Sequence, residues 1–231
     1  MATILREPRL TLASGDRLSR AEFERHYAET PSHIKCELID GVVYMASPLR
    51  YESHGKPHGK IIGWLFVYST ATPGVELADN ATVRFDLDSE TQPDALLRLL
   101  PAAGGQSRIS ADDYVEGAPE LIVEIAASSA AYDLHDKLRV YRRHGVQDYV
   151  VWRVHDQALD WFHLHEDRYI PLQPNQAGVL ESHRFPGLRL KVDALLNDRM
   201  DEVLAELQKG LDSTEHDVFV DNLAAARRQS T

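Results

Sequence analysis

The stretch Pro119-Glu-Leu-Ile-Val-Glu-Ile-Ala-Ala-Ser-Ser-Ala-Ala-Tyr-Asp-Leu-His-Asp-Lys137 constrains the fold more than any other part of the chain. Leu121 to Ala127 is a short apolar run with the length and β-branched content of a buried strand. Glu124 stands in its middle. A buried carboxylate costs several kcal/mol unless a cation, a metal or hydrogen bonds compensate it. The strand breaks at Ser128 and Ser129, and a helix follows. That helix carries Lys137, a cation that can return to Glu124.

Composition sets the outer bounds. The 231 residues allow one large domain or two small ones. Hydrophobic residues make up 43%, enough to bury a core. The single cysteine, Cys36, excludes an intramolecular disulfide and a multi-cysteine zinc site, and reads as a half-buried strand thiol. No apolar run approaches the ~18 residues of a membrane span, and the N-terminus lacks a signal-peptide apolar region, so a cytoplasmic protein is expected. The formal net charge of −11 argues against tight nonspecific binding to phosphate backbones.

Residues 1–18 read as a lead-in. Ser19 with Glu22 forms a capping box that starts a helix ending before Pro31. Asp40-Gly41 between apolar pairs predicts a tight hairpin, with Glu37 near the start of its first strand. A helix is expected from about Tyr51 to Ser69, with His54 and His58 on one face. Strands are expected at Val75–Ala78, Ala81–Leu87 and Ala95–Leu100, the last directly after Pro93-Asp94. Residues 101–118 read as a loop. Gly145 ends the helix after the central strand. Strands follow at Gln147–Val154 and Ala158–His165, with an edge strand at Arg168–Leu172. A last helix is expected at Val192–Lys209. Residues 210–231 read as a tail that leaves room for a short helix at Val218–Arg227. The domain organisation expected is therefore 1–18 lead-in, 19–209 one domain, 210–231 tail.

The acids on strands are Glu37, Asp94 and Glu124. Carboxylates gathered in a cleft repel one another unless a divalent ion neutralises them. Magnesium suits such a site, since one or two carboxylates plus waters and a substrate phosphate satisfy it. On an ideal helix Lys137 lies about 60° from the middle of the stripe Leu134, Leu138 and Tyr141, at its border. Its stem can lie against the sheet while its ammonium reaches the cleft. Asp133, one turn earlier, is equally readable as its surface ion-pair partner.

Taken together and in order, several segments resemble the Uma-two family of restriction-endonuclease-like proteins, within the PD-(D/E)xK nuclease superfamily. They are Cys36-Glu37-Leu-Ile-Asp-Gly-Val-Val-Tyr-Met-Ala-Ser-Pro48 with His54 behind it, Pro93-Asp94, Pro119 to Ile125, Tyr132-Asp133 with Lys137 and Tyr141, and Gly145 to Trp152. The resemblance covers roughly residues 17 to 205. It implies an α/β (α+β) fold with a mixed sheet flanked by helices, and a Mg²⁺ or Mn²⁺ site. Asp94 and Glu124 would hold the metal. Lys137 would take the place of the superfamily's lysine, since Ala126 stands where that lysine usually does. Glu37 would be the additional catalytic acid, with His54, Asp133 and Tyr141 accessory.

The activity so implied is divalent-metal-dependent endonucleolytic hydrolysis of DNA. Lys137, Arg139, Arg142, Arg143 and Arg153 form a locally basic segment that can meet phosphates or serve as a solvated face. The alternative from another class is a catalytically weak nuclease-fold protein acting as a binding or assembly module. A homodimer is expected, paired through the apolar strands after residue 147. A zinc hydrolase using His54, His58 and His163 is a third reading.

Overall fold

The first local prediction sets the entry to the fold. The Glu22 carboxylate accepts the Ser19 N–H at 2.9 Å and the Ser19 hydroxyl accepts the Glu22 N–H, which starts helix α1, Arg20–Ala28. Next, Cys36–Ile39 (β1) and Val42–Met45 (β2) pair so that Ile39 faces Val42. Only Asp40 and Gly41 remain for the turn, with φ of 50° and 74°. Two consecutive left-handed residues match the right-handed twist of the flanking strands, which is why Asp-Gly works here.

The computed structural model describes residues 12–127, 129 and 132–229. Most of the expected lead-in and the expected break at Ser128 lie outside the described residues. The remaining strands are Val75–Asp79 (β3), Val83–Arg84 (β4), Glu90–Thr91 (β5), Ala95–Leu99 (β6), Arg108–Ile109 (β7), Val115–Glu116 (β8), Leu121–Ala126 (β9), Asp148–Arg153 (β10), Ala158–His165 (β11), Arg168–Pro171 (β12), Val179–Glu181 (β13) and Arg189–Lys191 (β14). One six-stranded sheet has the order β12-β11-β10-β9-β6-β3; a second runs β2-β1-β5-β4-β8-β7. Both are mixed: β9 and β10 are parallel, as are β4 and β8. Parallel neighbours need a crossover, and helix α3, Leu138–His144, supplies it between β9 and β10.

Strand β9 is apolar throughout because both its faces are covered. Leu121, Val123 and Ile125 pack into a core with Ile61, Trp64 and Leu65 of helix α2, Lys56–Ala71. Ile122 and Ala126 face the other way, against Val140 and Tyr141 of α3 and against Ile39 and Val83 of the second sheet. Alternation puts Glu124 on that second face. The site therefore lies where α3, β9 and the hairpin sheet meet.

Three expectations need correction. The loop 101–118 contains short strands β7 and β8, too brief for any periodicity to announce. The last expected helix is two, α4 at Val192–Leu196 and α5 at Met200–Leu211. The chain breaks at Asp198, whose φ is 64° and whose carboxylate meets Lys56 at 2.7 Å and Lys60 at 2.8 Å on α2. The segment expected as a tail holds a 16-residue helix, α6, Thr214–Gln229, with His216 and Leu223 buried. It follows a close contact: a Cβ on Gly210 would stand 2.1 Å from the Gly187 carbonyl oxygen, so only glycine lets α5 approach that turn.

Candidate active site

Glu124 is only 4% exposed and Lys137 only 5%. The Lys137 ammonium donates to Glu124 Oε1 at 2.9 Å. It also lies 3.0 Å from Glu37 Oε1 and 3.8 Å from Asp133 Oδ1. Glu37 belongs to β1 of the hairpin sheet and Glu124 to β9 of the central sheet, so one lysine ties acids from two sheets. Around it the acids are held by further donors. The Tyr141 hydroxyl donates to Glu124 Oε1 at 2.8 Å, and the Gln92 N–H donates to Glu37 Oε1 at 2.7 Å.

Asp94 precedes β6 and reaches across to β9, where its Oδ2 accepts the N–H of Ile125 at 2.6 Å. That amide is adjacent in sequence to Glu124, and the charge of Asp94 adds to the repulsion felt by Glu124. Asp94 Oδ1 lies 3.2 Å from His54 Nε2. The main-chain carbonyl of Asp94 is 2.7 Å from His58 Nε2, which also stands 3.1 Å from Asp79. The structure thus gathers Glu37, Glu124, Asp133, Tyr141 and Lys137 directly, with Asp94 and His54 joined to them through the backbone of β9.

Ideal helical geometry placed Lys137 at the border of its stripe; the structure buries it. The reason is a π-helical turn, Asp133–Lys137, immediately before α3. Its i→i+5 bonding adds a residue to the turn and swings both Asp133 and Lys137 inward, away from the solvent-exposed pairing that sequence left open. A second π-turn, Tyr51–Gly55, carries His54 at the start of α2. Such turns recur at functional sites. No residue pattern in the sequence announces them.

Burial raises the pKa of Glu124 well above the ordinary carboxylate range; Lys137 opposes the shift, while Asp133, Asp94 and Glu37 add to it. Burial likewise raises Asp133, again against Lys137. For Lys137 itself burial works against the charge, but Glu124, Glu37 and Asp133 outweigh it and the ammonium is held above its usual value. The hydrogen-bonding side chain of Asp94 raises His54, opposed by burial. Burial and the charge of Glu124 keep Tyr141 protonated. The cluster holds more negative charge than Lys137 can balance.

Both carboxylate oxygens of Asp133 are buried without a hydrogen-bond partner, the Ser129 side chain approaching without good hydrogen-bond geometry. An unsatisfied buried carboxylate beside three further acids is a donor set that fits a hard divalent cation. Among the described residues no three His, Cys, Asp or Glu side chains form a ready-made cage. An ion held here would take fewer than three of these side chains as ligands.

The zinc reading gains no support, because the three histidines have other partners. His163 Nδ1 lies 3.0 Å from Asp148 and its ring packs on His183, while His54 and His58 are engaged by Asp94 and Asp79. The basic segment is also largely neutralised. Arg139 pairs with Asp136, Arg143 with Asp40 and Asp86, and Arg153 with Asp156 and Asp160; Arg142 donates to the Asp167 carbonyl. Sequence reasoning missed the holding groups: the amides of Gln92 and Ile125, and the hydroxyl of Thr91 3.0 Å from that of Tyr141. Backbone donors leave no residue-type signal, and only the Glu37↔Tyr44 register could have hinted at Tyr44.

The crystal structure of a putative nuclease belonging to DUF820 from Anabaena variabilis ATCC 29413 is similar over 75% of this chain and 96% of that one, with a TM-score of 0.56 and 11% identity. At that identity the likeness is one of fold, and it defines the class: a restriction-endonuclease-like core of mixed sheets flanked by helices. The family model described as "Putative restriction endonuclease" matches residues 20–193, well over half of the chain. The chain belongs to this family, the Uma-two family. No curated protein matches it.

Proposed function

We propose that this protein is a divalent-metal-dependent endonuclease that hydrolyses phosphodiester bonds of DNA, with Asp94, Glu124, Lys137 and Glu37 as its working residues. The observation that carries the reading is the meeting of Glu37 and Glu124, from separate sheets, on one buried lysine. Membership of the family and the nuclease-like fold support it. Asp94 and Glu124 would hold Mg²⁺ or Mn²⁺, with Asp133 as the adjacent uncompensated acid. Bound there, the metal would supply charge for the scissile phosphate and lower the pKa of water.

The chain's own residues do the rest. The Ile125 amide and His54 fix the two oxygens of Asp94. Lys137 and Tyr141 both donate to Glu124 Oε1, which leaves Oε2 free for the metal. The attacking water's oxygen bonds to phosphorus as the bond to the leaving oxygen breaks, and the proton that the water gives up is matched by one that the departing oxygen takes from solvent. Lys137 keeps Glu37 and Glu124 from separating and adds a positive charge near the developing negative one. The apolar walls of β9 and α3 exclude bulk water, and the opening lies toward Glu37 and Asp94, the more exposed acids.

Plasmid or single-stranded DNA incubated with the protein and Mg²⁺ or Mn²⁺ should be cut, and Asp94→Ala should lower the rate about 100-fold or more. Equal nicking by both proteins would mark a contaminant and remove the proposal. A second reading, a catalytically weak module that binds or assembles, has one observation in its favour: the arginines near the site are engaged by the protein's own groups. The exposed Ile170 on edge strand β12 is where two copies could pair, which sedimentation of an Ile170→Lys variant would test. Among the described residues no helix is long and apolar enough to cross a membrane.

A further inference from the structure

The mouth of the acid cluster is lined by aromatic side chains that the hydrolytic chemistry does not use. Tyr44 faces Glu37 across the hairpin register, so its side chain stands on the same face as that acid. Its hydroxyl donates to Asp136 at 3.0 Å, and its ring lies 5.0 Å from the ring of Tyr132, tilted by 58°. Tyr132 directly precedes Asp133 and is 44% exposed. Tyr51, 72% exposed, opens the other π-turn, just ahead of His54. The second π-turn is tied to β9: His54 lies 3.2 Å from Asp94, whose other oxygen accepts the Ile125 N–H next to Glu124.

Large aromatic rings left in water beside a functional cleft call for a ligand with flat apolar faces. The charges around them point the same way. A duplex reader needs free cations to meet phosphates, yet Arg139, Arg143 and Arg142 are taken and the chain carries a net charge of −11. In duplex DNA the base faces are covered by their neighbours; in a single strand they are open to aromatic rings. Arg50, next to Tyr51, is exposed and has no acidic partner among the described residues.

We propose that Tyr44 and Tyr132, with Tyr51 on the opposite π-turn, stack unpaired bases, so that the site takes single-stranded rather than duplex DNA. The inference rests on the nuclease reading for what happens to the strand after binding, but its binding test is separate. The full-length Asp94→Ala protein, silenced for hydrolysis, is titrated in Mg²⁺ with a fluorescent single-stranded oligonucleotide and with a hairpin duplex of the same composition, at several salt concentrations. The single strand should bind roughly 10-fold tighter or more at each salt concentration. Adding Tyr132→Ala should weaken it about 10-fold, the scale of one lost base stack, while Tyr132→Phe should bind like its parent.

Equal or tighter duplex binding, or affinity unchanged by Tyr132→Ala in a protein that melts like its parent, would overturn the inference. So would sedimentation showing that Tyr132→Ala turns a dimer into a monomer with its DNA affinity intact, since the rim would then be a contact between copies. Nicking of plasmid together with absent single-strand binding would sink this inference and leave the hydrolase standing. Single-strand binding as described, with neither substrate cut by the unmutated protein, would sink the hydrolase and leave the rim as a binding surface.

Discussion

Glu120 stands just before strand β9 and Glu124 in its middle, and both are buried. Their surroundings differ completely. Glu120 accepts the Leu99 N–H at 2.7 Å on one oxygen and the Gln106 N–H at 3.0 Å on the other. Peptide donors answer it, and no second acid of the Lys137 cluster crowds it. Glu124 shares one oxygen between Lys137 and Tyr141 and sits among Glu37, Asp94 and Asp133, the last with no hydrogen bond. The first arrangement pins a loop to a strand. The second gathers Glu37, Glu124 and Asp133 around a single lysine. Burial alone does not mark a functional acid; burial among like charges with too few donors does.

Lys137→Met should have the largest effect. It leaves three acids facing one another and should cost about 3–5 kcal/mol of unfolding free energy, measured by denaturant titration. A loss below about 1 kcal/mol would mean that Lys137 does not hold the cluster. Glu120→Ala comes next. It leaves two buried peptide donors unanswered and should cost about 2 kcal/mol, while the nicking rate per folded molecule stays unchanged. Lost activity at full folding would erase the contrast between the two glutamates.

The pH dependence is smaller and its sign is fixed by the shifts. Glu124 and Asp133 have folded pKa values above their unfolded ones, so their contribution to stability is full below the unfolded values and is lost as pH rises through the folded ones. Glu90, raised to about 7 by burial and by Glu24, acts in the same direction. Metal-free protein should therefore melt at a higher temperature near pH 5 than near pH 8. Glu124→Gln made on a Glu90→Gln background should flatten the remaining slope; an unchanged slope would put the charge elsewhere. Tyr141→Phe should be mildest, about 0.5–1.5 kcal/mol in stability and a several-fold slower nicking rate, because Lys137 still holds Glu124.

The sequence carried the frame of this site and not its closure. The capping box at Ser19, the Asp40-Gly41 turn, the apolar run of β9 and the glycine stop at Gly145 each rest on local chemistry, and each formed as expected. Glu37, Glu124 and Lys137 stood out because acids are rare on buried strands, and they meet. The inward swing of Lys137 did not stand out, since a π-turn has no residue code. Glu120 was overlooked because its partners are main-chain amides. Helix α6 was legible only as room for a short helix at Val218–Arg227 within a tail, because its burial is decided by packing around Leu223 and His216 rather than by a strong apolar stripe of its own.

The central claim is that the Lys137 cluster is short of one divalent positive charge. Calorimetric titration of Mn²⁺ into metal-free protein, repeated in buffers of different ionisation enthalpy, reads both binding and proton release. One ion should bind with net release of protons from the cluster, and Asp94→Ala and Glu124→Gln should each abolish the signal. Absence of binding by the unmutated protein, or binding that survives both substitutions, would contradict the account.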